Sequence, residues 1–216
     1  MLEEYRQRII AEIESTLNNA APAIRQVASL ATDVVASGGV LHILDHSHLL
    51  GNEMTCRAGG LAAMHVVTLE EARNPVLVRR GDLLFIASVS GRSKQVVQAA
   101  LQAKERGVHT VALTSLAQAA VAQPEDPELG LLRDVAEAVL DIGGVAGDAL
   151  IGGDGGKACV PGSGILSVVV MWAVVAELVA GLRQRGIEPT IFTSVNVPGG
   201  EQSFEKEMAR YARLGY

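Results

Sequence analysis

The sequence predicts an α/β protein with three layers, αβα, around a five-stranded parallel sheet. Two observations carry the prediction. Short apolar runs alternate with helical stretches from residue 40 to residue 142. The runs are also continuously apolar instead of alternating, as in strands covered on both faces. The composition agrees: 49% of the 216 residues are hydrophobic, only 3% are aromatic, and Ala, Val and Leu dominate.

The elements follow in order. Leu2, Tyr5, Ile9, Ile13 and Leu17 recur at three- and four-residue steps, so an amphipathic helix opens the chain. A second helix is expected over Pro22–Ala36, with Pro22 in its first turn and Ser37-Gly38-Gly39 as the stop. Strands are expected at Val40–Leu44, Met64–Thr68, Leu83–Ala87, Val108–Thr114 and Ala138–Ile142. The clearest crossover helices are Ser47–Ala58 and Ser93–Arg106. Gln123 to Glu128 is a polar excursion, and 143–164 is glycine-rich and too long for a tight turn. Ile165–Gly181 is a buried helix: it is shorter than the roughly 20 apolar residues of a membrane span and carries Glu177. The chain closes on a short helix pattern. It reads as a single domain, with N-terminal helices in 1–37, the sheet core in 38–142, and the glycine-rich loop, apolar helix and tail in 143–216.

Right-handed crossovers leave few orders for five strands. The common order 2-1-3-4-5 sets the first and third strands side by side at a switch point, where such sheets bind ligands. The loops leaving those strands are Asp45-His46-Ser47-His48 and Ser88-Val89-Ser90-Gly91-Arg92-Ser93. At the second, the first amides of the following helix lack intrahelical partners and the helix dipole adds positive character, so an anion fits there. Ser88, Ser90 and Ser93 add hydroxyls, Gly91 allows close approach, and Arg92 adds charge if it turns inward. The alternative is ordinary capping by serine, which needs one such residue and not three. Thr114 and Ser115, leaving the fourth strand, face the same crevice.

The stretch LLFIASVSGRSKQVVQAALQAKERGVHTVALTS resembles the core of the SIS (sugar isomerase) domain family. HSHLLGNEMTCRAGGL, Gly147-Asp148-Ala149 and SVNVPGG resemble a subgroup of small, stand-alone SIS proteins. The resemblance implies a flavodoxin-like fold, a sugar-phosphate ligand, a cytoplasmic location and a homodimer or homotetramer with sites near subunit contacts. It implies that Ser88, Ser90, Ser93 and Ser47 hold the phosphate, with Thr114 and Ser115 near, and that the loop with Asn196, Gly199 and Gly200 closes over a site. One departure stands out. The subgroup usually has Gly-Thr-Gly before its His-Ser-His, whereas this chain has Ile43-Leu44-Asp45. Asp45 would repel a phosphate, so it contacts sugar hydroxyls or the ligand sits differently.

Aldose–ketose isomerisation moves a proton between adjacent carbons and needs a base there, plus acid–base groups to open the ring. Glu53 is the leading base, six residues after Ser47 and close to two turns on. Its competing reading is an ion pair with Arg57, four residues on. His46 and His48 flank Ser47 and point opposite ways, so one of them at most meets the ligand. Glu177, if buried, must be paired or protonated, and is a second candidate acid or base or a subunit contact. His42 and His65 lie in strand runs and read as satisfied core histidines.

Other classes are excluded. The net charge of −6 argues against a nucleic-acid surface. Gly156-Lys157 fails as a phosphate-binding loop because Ile151 and Ala158 stand where glycine and Ser or Thr are needed. The first loop is no dinucleotide fingerprint, so no nucleotide cofactor is expected. Asp45, His46, His48 and Glu53 fit no strong metal spacing. Cys56 and Cys159 form no CxxC pair and read as small buried hydrophobes in a reducing compartment.

Overall fold

The computed structural model of the chain describes residues 1–48, 50–152 and 157–216. Its elements run α1 (Leu2–Ala36), β1 (Leu41–Asp45), α2 (Leu50–Met54), β2 (Met64–Val67), α3 (Leu69–Arg73), β3 (Leu83–Ala87), α4 (Lys94–Glu105) and β4 (His109–Thr114). They continue through α5 (Leu116–Val121), α6 (Leu132–Val135), β5 (Ala138–Asp141), β6 (Ala149–Ile151), β7 (Cys159–Pro161), α7 (Ser163–Gln184) and α8 (Gly200–Leu214). The main sheet has the order β2-β1-β3-β4-β5, as the sequence predicts, and every pairing in it is parallel.

The pleat sorts each strand's side chains into two cores. Leu83, Phe85 and Ala87 face one side with Leu41, Ile43, Val111 and Leu113, and α1 and α7 cover them. Leu84 and Ile86 face the other side with Leu44 and Ala112, under Val96, Val97 and Ala100 of α4. Both faces are therefore dry, which is why all five residues of β3 are buried and apolar.

Three expectations are corrected. The two N-terminal helices are one helix of 35 residues with Pro22 inside it. Proline lacks the N–H for the bond one turn back, and mid-helix this costs about 3 kcal/mol. The helix continues because Ala20, Ile24, Val27, Ala31, Val34 and Val35 form one buried stripe. The crossover expected over Ser47–Ala58 contains only the short α2, since Cys56 adopts a φ of +49° and ends it. Cys56 and Cys159 are exposed instead of buried. Part of the glycine-rich stretch forms an antiparallel ribbon, β6 with β7; its Gly153-Asp154-Gly155-Gly156 lies outside the described residues.

The helix α7 is long and apolar enough, by length and composition, to cross a membrane. In the fold, Leu166, Val170, Met171, Val174, Leu178 and Leu182 belong to the core shared with α1. At the other edge, α8 lies over β2, where Tyr211 meets His65.

Candidate functional site

The pairing of Asp45 with Ala87 in register places the exits of β1 and β3 side by side, and His46 N donates to Ala87 O at 2.9 Å. Ser88 N donates to Leu113 O and Ser115 N to Val89 O, so the β4 exit joins them. Asp45, Ser47, the Ser88–Ser93 turn, Thr114 and Ser115 therefore gather at one carboxyl edge.

Within the turn, Ser88 is buried and Ser90 and Ser93 are half-buried. Gly91 has a φ of +64°, and a Cβ there would stand 3.0 Å from the Leu132 Cβ. Its carbonyl accepts from Leu132 N at 2.9 Å, so the turn is pinned to α6. Ser93 is the N-cap of α4 by position and extended backbone, yet its side chain makes no cap hydrogen bond. Capping therefore does not account for this serine.

The cap comes from elsewhere. Glu125 Oε2 accepts from Lys94 N at 2.9 Å, so a carboxylate of the protein sits on the first amide of α4. Arg92 does not turn inward: its Nε donates to Gln123 O at 2.8 Å and its Nη1 lies 3.7 Å from Glu125 Oε1. The sequence offered no signal for this contact, because Glu125 is 31 residues beyond Lys94.

Carboxylates serve the neighbouring turns in the same way. Asp45 Oδ1 accepts from Ser47 N and from Ser47 Oγ, and Asp45 Oδ2 accepts from Gly51 N of α2. Asp141 Oδ1 accepts from Leu116 N of α5 and from Gly143 N. Asp148 accepts from Gly162 N, Ser163 N and Ser163 Oγ at the start of α7. The hydroxyls of Thr114 and Ser115 donate to Val89 O and Gly143 O, and Ser115 Oγ also caps α5. Both residues shape the edge.

Glu53 of α2 is half-buried. Its Oε2 accepts from Arg57 Nη1 at 2.6 Å, and its Oε1 lies 3.4 Å from Trp172 Nε1 of α7. The pair with Arg57 was legible from spacing; the contact with Trp172 was not. Glu53 and Arg57, with Asn52, Ile165, Val168 and Val169, line a cavity of about 390 Å³. His46 and His48 are both exposed at the β1 exit.

Glu177 is exposed, which corrects the expectation of burial. It lines a groove between α1 and α7 with Arg25, Thr32, Gly181 and Arg185. Asn196 is also exposed and lines a cavity with Cys56, Arg57, Thr193 and Phe204. A Cβ on Gly200 would meet the Ser194 carbonyl at 2.0 Å, so this loop requires glycine there. Within one chain, neither Glu177 nor Asn196 joins the turn through the contacts described.

His42 is buried, and its Nε2 lies 3.1 Å from Asp82 Oδ2. Burial pushes its pKa down and outweighs the opposing pull of Asp82, so the contact is a hydrogen bond from a neutral imidazole. Asp82 can only accept, so Nε2 carries the proton. The buried Nδ1 has no partner among the described residues. His65 is also pushed down, first by burial and then by His42.

A doubly covered parallel sheet of this order with a serine-glycine turn at the switch point defines the class: the chain is a SIS-domain protein, and the SIS domain family model matches residues 70–115, which span the turn. A UPF0309 protein of Streptomyces griseus is 33% identical over 216 residues, 88% of this chain and 86% of that one. The chain belongs to the UPF0309 family. Among solved structures, a candidate phosphosugar isomerase involved in capsule formation from Bacteroides fragilis matches with a TM-score of 0.57 and 15% identity, over 96% of this chain and 97% of that one. The NanR protein of Vibrio vulnificus, solved with ManNAc-6P, matches with a TM-score of 0.52 and 14% identity, over 98% of this chain and 69% of that one. At these identities the likeness is one of fold.

Proposed function

We propose that the chain binds an anionic sugar, a sugar phosphate, at the Ser88–Ser93 turn. The observation that carries this reading is Ser93, an N-cap whose hydroxyl is not spent on its helix. Placed beside Ser88 and Ser90 at the β1–β3 switch point, it offers a donor where helix geometry favours an anion. The Vibrio vulnificus protein, which shares this fold over 69% of its chain, was solved with ManNAc-6P. Ser47 and the exposed His46 and His48 border the turn and would meet the sugar. We read the protein as cytoplasmic, needing no cofactor, and at least a homodimer, in which a second chain could bring Glu177 or Asn196 to the site.

The finer reading is a sugar-phosphate isomerase. Glu53 would take the proton from the second carbon, and His46 or His48 would open the ring. A non-catalytic phosphosugar-binding protein is the second reading, and the Glu53–Arg57 pair at 2.6 Å favours it, since Arg57 occupies one of the two carboxylate oxygens that a base would use. One experiment separates them. The protein is incubated with ManNAc-6P, glucose 6-phosphate and fructose 6-phosphate in heavy water, after binding is established by calorimetry. Exchange at the second carbon of ManNAc-6P or glucose 6-phosphate, or at the first carbon of fructose 6-phosphate, that Glu53→Gln abolishes, with binding retained, supports the isomerase. Binding without exchange supports the second reading, and absence of binding across the panel removes both.

A further inference from the structure

The polar segment after α5 lies on the ligand turn and holds it at several points. Besides the Glu125 carboxylate on Lys94 N, Glu125 N donates to Arg92 O at 3.0 Å. Arg92 Nε donates to Gln123 O, and Lys94 Nζ lies 2.9 Å from Asp126 Oδ2. The first amide of α4 and both cations of the turn are thus engaged by groups of one short segment. The Glu125 and Arg92 side chains are 43% and 49% exposed, so water reaches the contact and opening it is cheap.

A sugar phosphate seated on this turn would meet that arrangement. Its phosphate and the Glu125 carboxylate carry the same sign and seek the same amide. Arg92 and Lys94 cannot compensate a phosphate fully while paired with Glu125 and Asp126.

We propose that Glu125 is a built-in competitor for the anion site, holding the N-terminus of α4 until a ligand phosphate displaces it and frees Arg92 and Lys94. The inference rests on the reading of Ser88–Ser93 as that site. It also assigns a selectivity. A bare phosphate must displace Glu125 with nothing else to gain, whereas a sugar phosphate adds contacts from its hydroxyls. The protein therefore discriminates against free phosphate.

Calorimetric titration of the full chain and of Glu125→Gln tests this, with ManNAc-6P, fructose 6-phosphate and inorganic phosphate as probes. Glutamine keeps an acceptor for Lys94 N and removes only the charge. Sugar-phosphate binding is expected to tighten roughly two- to fivefold, the size of a charge effect at a helix terminus, and inorganic phosphate is expected to gain at least as much. Wild-type binding with equal or weaker binding by the variant overturns the competitor and leaves the site standing. Absence of binding by both overturns the site and the competitor together. Should Glu125→Gln fail to fold, Asp126→Asn, which frees Lys94 without touching the amide, is expected to tighten binding about twofold; no gain there counts against the proposal.

Discussion

The Asp45 carboxylate holds the Ser47 hydroxyl at 2.5 Å with the same oxygen that takes the Ser47 amide at 2.9 Å. Its other oxygen binds the Gly51 amide at 2.8 Å. The residue that breaks the usual glycine-rich first loop is therefore tied into that loop, and Ser47 spends its one hydroxyl proton on it.

A difference in binding between two serines follows. Ser90→Ala is expected to weaken sugar-phosphate binding at least about tenfold, the loss of one hydrogen bond to a charged group. Ser47→Ala is expected to change it less than about twofold, because that hydroxyl already donates to Asp45. Calorimetry on the two variants checks the order; a larger effect at Ser47 would return that residue to the phosphate set.

Replacing Asp45 tests the loop itself. Asp45→Asn cannot accept all three bonds with full charge, and charge-assisted bonds contribute about 1.5–3 kcal/mol each. A loss of about 1–3 kcal/mol in urea unfolding is expected, with no loss of sugar-phosphate affinity.

Gly91 is a structural requirement. Its φ of +64° disfavours any residue with a Cβ by about 1–2 kcal/mol, and the close Leu132 Cβ adds to that. Gly91→Ala is expected to lower the unfolding free energy by at least about 1 kcal/mol and to weaken ligand binding as the turn moves. Unchanged stability would mean that the turn relaxes without cost.

The histidines of the β1–β2 pair set a pH dependence. His42 and His65 both have pKa values below the ordinary value of 6.5 in the fold. The groups that bear on them are Asp82, which favours the charged form of His42, Arg79, which opposes it, and the Tyr211 hydroxyl of α8. A lowered pKa means that the unfolded chain binds protons that the folded chain refuses, so stability rises with pH in that window. The contribution is present above pH 6.5 and falls as the pH drops from there toward the lowered folded values. Thermal midpoints measured from pH 7.5 down to pH 5 should decline in the wild type and decline less in His65→Gln. An identical decline in both would assign the effect to other groups.

Much of the fold was legible because burial on both sheet faces demands apolar strands, and α/β connectivity then allows few orders. Thus Leu83–Ala87 and its partners were readable to within a residue or two. Pro22 misled, because local propensity at one position was outweighed by a long buried stripe that only packing reveals. Cys56 misled similarly: its residue type suits a core, but its backbone turns left-handed at the end of α2.

The sequence by itself determined the sheet, its order and the place where serines meet a helix start, since these depend on local pattern and chain handedness. Tertiary structure decided what those groups touch. Glu125 reaches Lys94 across 31 residues and Trp172 reaches Glu53 across 119. No periodicity encodes such contacts, because which carboxylate caps which helix depends on where separate loops come to rest once the core has closed.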